Sequence, residues 1–267
     1  MGDVGAAGVT GQAELLGFAA GALIAVVTAP VGVSGAVFLL PVQLSVLDVP
    51  SPAVTPTNLL FNVVAGPGAL ARHHRQGTLA GPLTRLLVAG ALPGVVAGAL
   101  IRVFALPSPT VFRVLVGLFL LPLGLWLCAR TLRPSRPRHR PPSGRFVSVL
   151  ALAAGTVGGV YGIGGGSILG PILVGRGMPV AQVAPAALAS TFLTSVVGAG
   201  TYAVLSFTAS GPIAPLWSIG LACGLGGLIG GYLGARLQPR LPETALRLVL
   251  GLLATALAAL YLVQAAG

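Results

Sequence analysis

The sequence predicts an all-α, polytopic integral membrane protein of about eight transmembrane helices, in two repeats of four with a broken helix opening each. Three observations carry this. Charged types are 7% of the 267 residues and apolar types 55%, whereas a soluble domain carries roughly 25% charged residues. Mean hydropathy is +0.97. No charge lies between Glu14 and Asp48, between Arg145 and Arg176, or in the 59 residues from Arg176 to Arg236. About 20 apolar residues cross the hydrocarbon. Only helices and closed barrels satisfy their backbone there, and these runs lack the period-2 alternation of barrel strands. An ordinary soluble enzyme and a disordered chain are both excluded.

Breakers divide the runs in order. Residues 1–11 form a tail without a basic leader, so the first span is expected to stay. The first repeat covers residues 12–130. Its opening segment, Gln12 to Leu47, is too long for one ordinary span and is interrupted from Ala29 to Gly35. Segments from about Pro56 to Ala71, Leu79 to Leu106 and Thr110 to Arg130 complete it. Residues 131–145 are an Arg/Pro-rich linker. The second repeat, 146–267, opens with Phe146 to Val174, broken at Gly162 to Gly166, and continues through about Val183–Phe207, Pro215–Leu237 and Pro242–Ala265.

The halves align. Gly32 to Pro41 lies over Gly162 to Pro171, Pro50 and Pro56 over Pro179 and Pro185, Phe112 to Gly117 over Leu246 to Gly251, and Arg102 over Arg236. An even number of crossings per half makes the repeats parallel, an odd number inverted.

All fifteen basic residues are Arg. Arginine gathered in cytoplasmic loops explains the net charge of +11 without nucleic acid. With one crossing per segment, nine arginines fall on the linker side and six opposite. That places the linker and both termini in the cytoplasm, in a plasma (inner) membrane; a broken segment that re-enters as a hairpin changes the parity and flips the termini. Cys128 and Cys223 lie in apolar runs without CxxC spacing and read as packing residues.

The breaks carry the functional reading. Four glycines in five positions (Gly162, Gly164, Gly165, Gly166) oppose continuous helix at about 1 kcal/mol each. Unwound backbone at membrane depth occurs only in protein or along a cavity. A helix restarting at Ser167 turns N–H groups and a positive dipole end toward the break, which suits an anion. Gly32, Ser34 and Gly35 offer the same device in the first half. Small-residue packing is the competing explanation, and it is the reading adopted for Gly94, Gly98, Gly227 and Gly231. Asn58 and Asn62, like Thr191 and Ser195, are spaced i, i+4 on one helix face. They add uncharged donors, unless they only bond helix to helix. Arg102 and Arg236 either attract the substrate or snorkel from helix ends.

The four acids, Asp3, Glu14, Asp48 and Glu243, fall at termini or loops, which counts against a cation pump. No metal cluster, phosphate loop or triad is present in the sequence, so no catalytic residue, metal or cofactor is expected. The partners expected are a small anionic substrate and the lipid bilayer; self-association stays open.

The stretch from Gly158 to Pro171, with Gly162-Ile-Gly-Gly-Gly166 and then Pro171, resembles the signature of the TauE/SafE sulfite-exporter family, a GxGGG followed five residues later by Pro. The duplicated layout, the polar segment after each motif and the Arg-rich middle are similar too, over residues 12–265. The resemblance implies eight or so helices and transport of sulfite, organosulfonates or related sulfur anions. The first copy departs from the pattern, with Gly-Val-Ser-Gly-Ala at 32–36. The leading expectation is a secondary anion transporter, exporter or permease, whose halves rock about substrate held between the breaks. The alternatives are a non-transporting accessory subunit and a passive anion channel. An intramembrane enzyme is more distant, since the spans offer no nucleophile–base pair.

Overall fold

The computed structural model describes residues 3–29, 34–75, 79, 81–106, 108–132, 142–176, 178–208, 213–237 and 243–266. They form ten α-helices and, among the described residues, no strand: α1 (Asp3–Thr28), α2 (Ala36–Ser45), α3 (Val54–Arg75), α4 (Pro82–Leu100), α5 (Pro109–Leu132), α6 (Gly144–Tyr161), α7 (Gly166–Gly175), α8 (Val180–Leu205), α9 (Trp217–Leu237) and α10 (Glu243–Ala266). A π-helical turn, Ile101–Ala105, extends α4.

Among the described residues six helices are long and apolar enough to cross a membrane: α1, α4 with its π-turn, α5, α6, α8 and α9. The ten-residue α2 and α7 are about 15 Å long, half the hydrocarbon thickness. Each is shielded by protein, as backbone ending at that depth requires. In α2, eight of ten residues are buried. Local chemistry sets the ends. Ser143 caps α6, its hydroxyl accepting from the Phe146 N–H at 3.3 Å. Gly162, at φ 73°, stops α6 in the left-handed conformation.

Glycine contacts give the helix directions. Gly226, Gly230 and Gly234 of α9 meet the carbonyls of Phe18, Ala22 and Val26 in turn, so α1 and α9 run parallel. Gly94 and Gly98 of α4 meet Leu152 and Thr156 of α6, again in parallel. Gly220 and Gly224 face Leu60 and Val64, so α3 also runs with α9. In α8, Phe192 faces Gly66 and Gly198 faces Leu59, which makes α8 antiparallel to α3. Gly117 and Gly124 of α5 face Leu262 and Thr255 of α10, an antiparallel pair.

α2 returns along α1. Gly35, just before it, packs on Ile24 and Thr28, while Leu47, just beyond it, reaches Gly17. In the same way α7 returns along α6, from Gly165 beside Gly155 to Arg176 over the Phe146 ring at 4.3 Å. Each opening segment is therefore two antiparallel pieces, not one bent span. This changes the parity. The described ends of the linker, Leu132 and Pro142, lie at the face opposite Asp3 and Ala266, so the expectation that the linker and both termini share a face is not met.

The packing expectation holds for Gly94, Gly98 and Gly227, the last against Phe61 and Ala65. It fails for Gly231, where a Cβ would meet nothing within 4 Å.

Candidate functional site at the helix breaks

The two breaks meet around α3. Ser34 donates its hydroxyl to Asn62 Oδ1 at 2.7 Å. Asn62 turns its Nδ2 toward the Gly162 carbonyl at 3.5 Å, a long contact. One turn earlier, Asn58 Nδ2 donates to the Ala36 carbonyl at 2.9 Å. The i, i+4 spacing of these asparagines lets one helix face serve both interruptions. Gly32 lies outside the described residues.

Around the second break, side chains take over the bonds that continuous helix would have made. Thr55 donates to the Val160 carbonyl at 3.1 Å, Tyr202 to Gly159 at 2.8 Å and Ser167 to Ile163 at 2.7 Å. The Gly165 N–H donates to Thr194 Oγ1 at 3.3 Å. Each such bond is worth about 1 kcal/mol net, and a buried group left bare costs about 1–3 kcal/mol.

The four glycines meet four different neighbours. Gly162 lies against the Thr55 carbonyl and Asn58. Gly164, at φ 70°, faces α8, where a Cβ would stand 2.7 Å from Thr191 Cγ2 and 3.2 Å from Ser195 Oγ. Gly165 packs toward Ala91 and Gly155, away from Asn58 and Ser195, so leucine there would part α4 and α6 from the break. Gly166 abuts the Ala187 carbonyl. Ser167 is occupied by its bond to Ile163.

What remains for a ligand is chemically specific. Asn58 Oδ1, Ser195 Oγ and Ser190 Oγ are buried without partners. Asn58 keeps a second amide N–H, and the first N–H groups of α7 point into the break. Asn58 and Ser195 flank Gly162 and Gly164, two residues apart. Among the described residues no carboxylate is buried. The centre therefore offers an amide N–H, two serine hydroxyls and a helix N-terminus to a small anion, beside the Asn58 Oδ1 acceptor, and among the described residues no buried carboxylate to a cation.

Arg102 and Arg236, which align in the sequence, do not share an environment. Arg236 is exposed at the end of α9. Arg102 is fully buried and does not snorkel; it donates to the Leu106 carbonyl and to Ser51. Sequence reasoning also missed Gln43, Tyr161 and Tyr202. Gln43 is fully buried in α2, with neither amide atom hydrogen-bonded. A lone amide in an apolar run, and a tyrosine directly before Gly162, were the signals available.

Membrane-length helices around two half-length ones, meeting at a buried polar centre free of carboxylates among the described residues, define a multi-pass membrane protein of the transporter kind. The chain belongs to the sulfite exporter TauE/SafE family, whose family model matches residues 17–261. No curated protein and no solved structure matches it.

Proposed function

We propose that the protein is a secondary transporter of small sulfur-containing anions, sulfite or organosulfonates among them, working by alternating access around the paired breaks. The observation that carries this is Asn62, which is buried and bonded to Ser34 of the first break while facing Gly162 of the second. Substrate would lie between α3 and α8, against Asn58, Asn62, Gly162, Gly164, Thr191 and Ser195. Gly165, its N–H taken by Thr194, would shape the break without touching substrate, and Gly166 would present the first N–H of α7 to it.

Two halves, 12–130 and 146–267 around the 131–145 linker, organise this reading. Exchanging α1–α5 with α6–α10 turns the α1/α9 pair into α6/α4 and the α3/α9 pair into α8/α4, and it returns α3/α8 and α5/α10 to themselves. With five passages per half, one in each made by a short helix and its connectors, the repeats are inverted. The arginines support this parity. Arg102 and Arg113 belong to the face of the termini; among the described residues Arg72, Arg75, Arg85, Arg130, Arg145, Arg176, Arg236 and Arg247 belong to helix ends of the linker face. By the positive-inside rule the linker is cytoplasmic and both termini lie outside, in the plasma membrane. A C-terminal epitope tag should then be labelled on intact cells by a membrane-impermeant antibody. Labelling only after permeabilisation would overturn the parity.

The functional test is counterflow in proteoliposomes. Unlabelled sulfite or sulfonate inside should accelerate entry of the labelled anion. Ser195→Ala leaves the packing intact and removes an unpartnered hydroxyl, so it should lower the rate about tenfold with little change in thermal midpoint. Flux that never saturates would mean a channel. No flux with any small oxyanion would favour an accessory subunit.

A further inference from the structure

Arg102 is the one buried charge among the described residues. It sits in the π-helical turn closing α4, its guanidinium 3.9 Å from the centre of the Phe112 ring. Its two terminal nitrogens are taken by the Leu106 carbonyl and the Ser51 hydroxyl, but Nε has no partner. The ionisable groups near enough to interact electrostatically with it are two phenols, Tyr161 and Tyr202, and among the described residues no carboxylate does. Tyr202 commits its O–H to Gly159. The Tyr161 ring packs on Phe119 and Phe112, and its hydroxyl has no hydrogen bond among the described residues. Ser51 accepts from the guanidinium and keeps its own proton to donate.

A guanidinium taken out of water without a counter-charge is costly. A ring face, one carbonyl and one hydroxyl recover only part of that cost. The missing element is an anion, and three donors stand ready for it: Arg102 Nε, Tyr161 O–H and Ser51 O–H.

We propose that Arg102, Tyr161 and Ser51 form a second anion-binding station, taking a small singly charged oxyanion, apart from the neutral centre at the breaks. Tyr202 is seven residues beyond Ser195 on α8, about 10 Å along the axis, which sets the station nearer the face of the termini. The station's place on a transport path rests on the function proposed above; its binding of an anion does not. It belongs to one half alone. The repeat positions of Ser51 and Phe112 hold Val180 and Leu246, and Arg236 is exposed.

The test is calorimetric titration of the full-length protein in detergent with sodium sulfite, gluconate being the only other anion. Wild type should bind about two sulfites per chain; Ser195→Ala should weaken one of them about tenfold and leave the one at Arg102 unchanged, and Arg102→Gln should bind about one, at the breaks. Arg102→Lys should keep both sites, with the second weakened about tenfold by loss of the planar fork. An arginine that only ties Ser51 to the π-turn would lower the thermal midpoint in both Arg102 variants and leave stoichiometry untouched. That result overturns the proposal and leaves the break site standing. Loss of all binding in Ser195→Ala, or no binding by wild type, overturns it as well. Should Arg102→Gln fail to fold, Tyr161→Phe keeps the ring and removes one donor. It should weaken one of the two isotherms about threefold to tenfold, and two unchanged isotherms would reject the station.

Discussion

Gly162→Ala should remove both stability and transport, at a cost of about 2–5 kcal/mol. Two terms add. The left-handed conformation costs a residue with Cβ about 1–2 kcal/mol, and Gly162 stands at φ 73°. The new methyl also runs into the Thr55 carbonyl, which is backbone and cannot swing aside; overpacking of that kind costs about 1–3 kcal/mol. Moving Thr55 in turn disturbs its bond to Val160, which holds the end of α6. Gly200→Ala is the matched control. It lies in α8 with nothing within 4 Å of a Cβ, so alanine should stabilise by up to about 1 kcal/mol through helix propensity. Thermal midpoints of both variants in detergent decide the matter. Equal midpoints would mean that the break does not need its left-handed residue.

Asn62→Ala should lower counterflow about a hundredfold while leaving the protein extractable and monodisperse. The substitution removes the acceptor of the Ser34 hydroxyl and, among the described residues, withdraws the one side chain that reaches both breaks. Each stranded buried group costs about 1–3 kcal/mol, and the loss falls on the site, since α3 keeps its apolar contacts with α8 and α9. Ser34→Ala removes one of these two bonds and should cost about tenfold. If Asn62→Ala transported like wild type, the breaks would not share a ligand.

Much of this was legible in the sequence, for physical reasons. Charge-free runs measure how much chain sits in hydrocarbon, so the helical membrane class followed from Glu14, Asp48, Arg176 and Arg236 alone. Glycine density located the second break, because several glycines in a row remove the side chains that stiffen a helix. The periodicity of Asn58 and Asn62 placed both on one face. Direction was not legible. A charge-free run from Leu15 to Leu47 is equally apolar whether it crosses bent or doubles back on itself, and only the approach of Leu47 to Gly17 distinguishes the two. The unequal fates of Arg102 and Arg236 were hidden for a related reason. Ser51 and Phe112, which bury Arg102, come from other elements, and their counterparts in the second half are different residues.

The glycine-to-carbonyl seams have a mechanical consequence. Where α1 lies on α9, and α4 on α6, backbone touches backbone along several turns, with no long side chains between to slide or change rotamer. Each seam joins a helix of one half to a helix of the other, so the two halves of the sequence cannot swing apart as blocks. The stiff bodies are mixed: α1, α3 and α9 on one side, α4, α6 and α8 on the other. They face each other across α3 and α8, where Leu59 meets Gly198 and Phe192 meets Gly66. A crosslink between α1 and α9 should therefore be harmless to transport, while one between α3 and α8 should freeze it. The halves that align in the sequence are thus not the parts that the seams tie together, and the proposed substrate centre lies where those parts meet.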